Sequence, residues 1–163
     1  MRILGIDFGE KRLGVAVSDA TATIAYPVET VPGSEKEKAI GRIVELTAER
    51  EVDRLVIGLP RNMDGSLGFK AKEVLAFVEL LRGRLAVPIE TWDERLTTVQ
   101  AERFLREAGV PRARWRERVD QIAAQILLQT WLDGHPGGVS PPPEPELPES
   151  DDDSDPDPAS NPE

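Results

Sequence analysis

The chain opens on apolar stretches too short for helices. Residues 2–7 form one strand-length run that ends in Asp7. "RLGVAVSD" then alternates Leu13, Val15 and Val17 against Gly14, Ala16 and Ser18, the period-two signature of a strand. "TIAYPVETV" predicts a third strand, with Pro27 marking an edge or a bulge. Short polar connections make these three an antiparallel meander. The period then changes. Ser34, with Glu37 three residues on, predicts a capping box, and Ile40, Ile43, Val44 and Thr47 follow at helical spacing to about Glu51. "DRLVIGLP" is a continuous apolar run, as in a strand buried on both faces. After the loop "RNMDGS", Val74, Phe77, Val78 and Leu81 predict a helix ending near Gly83, and "VPIETWDE" predicts a fifth strand. A helix over Val99–Glu107 stops at Gly109 and Pro111, and a last one runs to about Leu132. The pattern specifies an α/β fold: a mixed five-stranded sheet, three antiparallel strands and then βαβα, with helices packed on its faces.

The last helix contains an anomaly. At about 100° per residue, Val119, Ile122, Ala123, Ala124, Ile126, Leu127, Leu128 and Trp131 form one apolar arc, and Gln121, Gln125 and Gln129 form a polar face. Asp120 falls inside the apolar arc. Either it is the N-cap of a helix starting at Gln121, or it is a carboxylate facing the core, which must be neutralised, hydrogen-bonded, metal-bound or placed at an open rim.

Composition divides the chain in two. From Pro136 onward there are nine prolines and nine acids with no Lys or Arg, so residues 136–163 are expected to be a disordered acidic tail behind a domain of residues 1–135. Of the formal net charge of −10, the tail carries −9, and residues 1–135 hold 20 bases against 21 acids. The acidity therefore does not argue against a nucleic-acid partner. The absence of cysteine excludes a disulfide frame, a thiol nucleophile and a Cys-based metal site. No stretch has the roughly twenty apolar residues of a membrane span and the N-terminus carries no signal-peptide pattern, so a soluble cytoplasmic protein is expected.

Of the 30 acids, four stand at element ends: Asp7 closes the first strand, Asp93 and Glu94 close the last, and Asp120 lies at the final helix. Adjacent strand residues point to opposite faces, so only one of Asp93 and Glu94 can share a site with Asp7. An all-carboxylate cluster suits hard cations, Mg²⁺ or Mn²⁺ rather than zinc. A pair of such ions about 3.5–4 Å apart activates a water and stabilises the leaving oxygen of a phosphodiester. His135, in "DGHPGG", reads as a linker residue.

Together, "GIDFGEKRLGVAVSD", "VIGLPRNMDGS", "DERLTT" and "VDQIAAQILL" resemble the YqgF/RuvX family of RuvC-like nucleases in the ribonuclease H fold. The resemblance covers Arg2 to about Leu132 in the expected order. It implies a metal-dependent endonuclease acting on structured nucleic acid, through Holliday-junction resolution or 5′-end processing of precursor 16S ribosomal RNA. It implies Asp7, Glu94 (favoured over Asp93) and Asp120 as catalytic metal ligands. Junction resolution would further imply a homodimer for paired cuts, for which the pattern leaves no spare apolar helix face. Two departures from the RuvC pattern are visible. "VIGLP" ends without an acid, so that the fifth strand's acid would substitute, and Ala123 and Ala124 stand where RuvC places a second helix acid.

Lys11 and Arg12 in the first hairpin, Arg61 and Asn62 after the fourth strand, and Arg95, Thr97 and Thr98 after the acidic pair are placed to contact phosphate. Asp64 and Gly65 read as the turn. Between Arg95 and Arg118, seven arginines face three acids around Trp115, which either stacks a base or anchors the turn between two helices. Two other functions fit the pattern less well. An ATP-binding domain of the actin and sugar-kinase group shares the opening Asp-x-Gly but needs a second domain, and a non-catalytic nucleic-acid module has no use for three acids.

Overall fold

The alternation of the first thirty residues folds as a meander, and the later apolar runs add strands on its other side. The computed structural model describes residues 1–9, 11–60, 66–93, 102–103 and 105–138, without the side chains of residues 116, 117, 120 and 121. Strands β1 (Ile3–Phe8), β2 (Arg12–Ser18) and β3 (Ala25–Pro32) lead to α1 (Lys36–Glu49), β4 (Arg54–Leu59), α2 (Phe69–Arg82), β5 (Ile89–Asp93) and α3 (Trp115–Gly134). Single 3-10 turns lie at Arg112–Arg114 and Pro136–Gly138.

The five strands form one mixed sheet in the order β3-β2-β1-β4-β5. β1 pairs antiparallel with β2 and parallel with β4, and β5 extends the parallel half. Period-two alternation divides the residues between two layers. Leu4, Ile6, Leu13, Val15, Leu55, Ile57 and Leu59 pack against Ile40, Ile43, Leu46, Val74, Phe77 and Leu81 of α1 and α2. Ile3, Ala16, Ala25 and Val56 face the opposite way, against Ala124, Leu128, Trp131 and Leu132 of α3. The expected mixed sheet is present, with α1, α2 and α3 on its faces, and the helix expected over Val99–Glu107 falls partly outside the described residues.

Several details differ from the sequence expectations. Pro27 marks both an edge and a bulge: β3 is an outer strand, and the register jumps from Val15↔Glu29 to Ala16↔Pro27. The capping box at Ser34 does not form. The first helical bond is Ala39 N–H to Glu35 O at 3.1 Å, so Glu35 is the N-cap, without a side-chain bond, and Ser34 lies one residue too early. On the polar face of α3, Gln125 and Gln129 are bonded to the outer strand. Gln129 Oε1 accepts from Ala25 N–H (2.9 Å) and Gln125 Nε2 donates to Ala25 O (3.1 Å), satisfying an outer-strand residue that lacks a further strand.

His135 is not a linker residue. It is buried, stacked flat on Trp131 (4.0 Å, 5°), edge-on to Trp92 (5.5 Å), and its Nδ1 lies 2.7 Å from Trp131 O. Packed residues continue to Gly138, where an added Cβ would lie 2.7 Å from Met1 Sδ. Between β2 and β3, Asp19 accepts from the Thr21 hydroxyl and from the Thr23 and Ile24 amides, which hold its carboxyl at about 2. No helix among the described residues is long and apolar enough to cross a membrane.

Candidate active site at the end of the central strand

β1 is the middle strand of the sheet, and Asp7 is its next-to-last residue. The carboxylate is only 5% exposed. By alternation it shares a face with Ile3 and Gly5, the face covered by α3. Glycines flank it. Gly14 is its partner on β2, and on β4 Gly58 follows Ile57, the partner of Ile6. Neither carries a Cβ, so neither places a side chain of its own beside Asp7. Interior glycines mark close backbone approach or room for a ligand, and that signal was available in the sequence. Gly9, which follows two residues after Asp7, instead closes the hairpin, its N–H donating to Arg12 O at 2.8 Å.

α3 crosses this face at very close range. A Cβ on Gly5 would stand 2.8 Å from Leu128 Cβ. The C-terminal Trp131 and Leu132 cluster with Ile3, so the helix runs back along β1 and its N-terminal half lies towards the Asp7 end. Ala123 and Ala124, both buried, permit the approach. Residue 120 lies one turn before Ala124, in the half of α3 that approaches the Asp7 end. α3 starts at Trp115, six residues earlier than a cap at Asp120 requires, so the N-cap reading of Asp120 is wrong: it is an interior helix residue. Its side chain lies outside the described residues.

The acidic pair after β5 separates by face. Asp93 pairs with Leu59, a residue of the α1/α2 layer, whereas Trp92 packs into the α3 layer. Asp93 is therefore exposed on the face opposite Asp7. Glu94 lies outside the described residues, as do Arg61, Asn62, Asp64, Gly65, Arg95, Thr97 and Thr98. Among the described residues, no three acidic or imidazole side chains converge on one point. Arg12, two residues before Gly14, shares the Asp7 face at the exposed rim of β2, and Lys11 is exposed in the hairpin.

This geometry has known counterparts. The fold matches that of a Thermus thermophilus RuvC solved in complex with a Holliday junction substrate (TM-score 0.55, 20% identity, 87% of this chain and 99% of that one). It also matches the large terminase nuclease of the thermophilic phage G20c (TM-score 0.51, 12% identity, 80% and 81%). The architecture is thus that of the RuvC-like, ribonuclease H-type nucleases. More particularly, residues 1–134 match the model of RuvX, described as Holliday junction resolvase, and the chain belongs to the RuvX family. Relatives named as candidate pre-16S rRNA nucleases include those of Chloroflexus aggregans (50% identical over 131 residues, 80% of this chain and 92% of the relative) and Thermoanaerobacter pseudethanolicus (46% over 134 residues, 82% and 96%). That of Myxococcus xanthus is 47% identical over 135 residues, 83% and 89%. By family the chain is a nuclease, a hydrolase of phosphodiester bonds, and neither an actin-like ATP-binding domain nor a bare binding module.

Proposed function

We propose that the chain is a divalent-metal-dependent endonuclease that trims the 5′ flank of precursor 16S ribosomal RNA, with Asp7, Glu94 and Asp120 as metal ligands. The observation that carries the site is Asp7, a carboxylate 5% exposed at the end of the central strand, with glycines on both sides. A carboxylate so buried is costly unless compensated. A chain without cysteine provides oxygen donors there, which suit Mg²⁺ or Mn²⁺. The choice of Glu94 is supported by exclusion, because Asp93 is on the wrong face.

A divalent ion held by these carboxylates supplies a water of lowered pKa and stabilises charge on the leaving oxygen. The chain's own groups do the rest. Asp7 is held rigidly by a strand paired on both sides, so its oxygens need no reordering when substrate arrives. Arg12 and Lys11 stand at the exposed rim of the same strand end, where they neutralise non-bridging phosphate oxygens and fix the scissile bond over Asp7. Arg61, Asn62, Arg95 and Thr97 are assigned to the same phosphate contacts. The RNA substrate is favoured by the names of the relatives at 46–50% identity.

A second reading, resolution of four-way DNA junctions by a homodimer, is favoured by the family description. One experiment separates them. Wild-type protein and Asp7→Asn are incubated with an RNA spanning the 5′ precursor flank and with a four-way DNA junction, each with Mn²⁺ or EDTA. Mn²⁺-dependent cutting of the RNA, lost in Asp7→Asn, supports the proposal. Preference for the junction establishes the second reading, and cutting by Asp7→Asn equal to wild type refutes the site.

A further inference from the structure

The turn leading into α3 is built around one indole. Trp115 Nε1 donates to Val110 O at 2.8 Å, bridging the turn. Gly109 adopts φ +72°, and the amides of Gly109 and Val110 bond back to Arg106 O (3.2 Å) and Leu105 O (3.1 Å). Leu105 is fully buried and ties the turn to the body of the protein. With its N–H used and its ring half-buried, Trp115 is an anchor and not an open platform for a base.

Two guanidinium groups lie over that ring, Arg112 at 5.4 Å and Arg106 at 5.9 Å from its centre. Both arginines are exposed, as are Arg103, Arg114 and Arg118. Arg103 is engaged by Glu107 at 3.4 Å, but among the described residues no carboxylate pairs with Arg106, Arg112, Arg114 or Arg118. A guanidinium resting on an aromatic face keeps its N–H donors free, and its planar fork loses little freedom when it binds phosphate. Such positive charge, positioned and not neutralised by neighbours, fits a polyanion.

The position fits as well. Leu128 lies over Gly5, and Arg114 is fourteen residues earlier on the chain. At about 1.5 Å per helical residue, the turn lies about 21 Å along α3 from Leu128, at the end of the helix that points towards the Asp7 end of β1. That length is a few nucleotides of backbone.

We propose that Arg106 and Arg112, positioned on Trp115, form a phosphate clamp that grips the RNA strand a few nucleotides from the scissile bond. This rests on the reading of Asp7 as the nuclease site, and the RNA is preferred to DNA on the same grounds as above.

The test uses the full chain carrying Asp7→Asn, so that binding is read without cutting. Fluorescence anisotropy is measured with a labelled RNA spanning the 5′ precursor flank and with a four-way DNA junction, over a range of KCl. Adding Arg106→Gln and Arg112→Gln should weaken RNA binding on the order of tenfold. It should also make log K against log[salt] shallower by roughly 1.4, at about 0.7 per phosphate contact on a single strand. Arg106→Lys with Arg112→Lys should restore the slope but not the full affinity, because the charge returns without the planar fork. Unchanged affinity and slope in the Gln variant, with an unchanged thermal melt, overturns the clamp while leaving the nuclease reading intact. A loss confined to the junction overturns the assignment to RNA. Failure of the nuclease reading shows separately, as cutting by Asp7→Asn equal to wild type.

Discussion

On one face of the sheet, Leu4, Ile6, Leu13, Val15, Leu55 and Ile57 meet α1 and α2 in a continuous apolar layer. On the other, strand positions one residue away are Gly5, Asp7, Gly14, Ala16 and Gly58, beneath Ala124 and Leu128 of α3. The same strands build both layers, so the difference lies in side-chain volume and charge. The first layer is filled and gains its stability from apolar burial. The second has small residues that bring a helix within contact distance of the backbone and, among the described residues, one buried carboxylate, Asp7, at the strand end. The alternation of β1 itself separates the filled layer from the face to which the metal site is assigned.

That contrast can be broken at adjacent residues. Asp7→Asn removes a proposed ligand and should lower cutting by more than about 100-fold, beyond the loss usual for groups that only support a ligand, with little change in thermal midpoint. Asp93→Asn, on the opposite face, should leave cutting near wild type. Ile6→Ala, one residue from Asp7 but in the filled layer, should cost about 2–5 kcal/mol of stability in denaturant titration while the folded fraction still cuts.

Gly5→Ala tests how closely α3 lies. Its Cβ would stand 2.8 Å from Leu128 Cβ, so overpacking of about 1–3 kcal/mol is expected. In a double-mutant cycle with Leu128→Ala the two costs should be less than additive, since the second change makes room for the first.

The smallest effect is expected at Glu29, whose carboxyl is held below its usual range by its bond to Arg42 (2.7 Å). Both side chains are about one-third exposed, so Glu29→Gln should cost about 0.2–1 kcal/mol at pH 7. The folded-state pKa is depressed, so this contribution is full above the unfolded value and disappears as pH falls through the folded one. Thermal melts of wild type and Glu29→Gln should therefore differ at neutral pH and converge in acid.

Local periodicity made the architecture legible. The alternation through Leu13, Val15 and Val17 and the helical spacing of Ile40 and Ile43 depend on which face is buried, and each is visible within one segment. What failed depended on distant contacts. Ser34 has cap chemistry, but the chain turns into α1 one residue later. Gln125 and Gln129 read only as a polar face until the outer strand β3 is placed beside them, and His135 reads as linker until Trp92 and Trp131 enclose it. At the site, the sequence showed that Asp93 and Glu94 must face opposite ways. The register Leu59↔Asp93 was needed to show which way Asp93 faces. Gly14 and Gly58 were visible as strand glycines, but their place on either side of Asp7 is a property of pairing.

The central claim, that the α3 face near Asp7 holds the metal, is tested most directly by calorimetric titration of Mn²⁺ into wild type, Asp7→Asn and Asp93→Asn without substrate. The account requires binding that is lost in Asp7→Asn and kept in Asp93→Asn. Binding kept in Asp7→Asn and lost in Asp93→Asn would contradict it and move the site to the other face of the sheet.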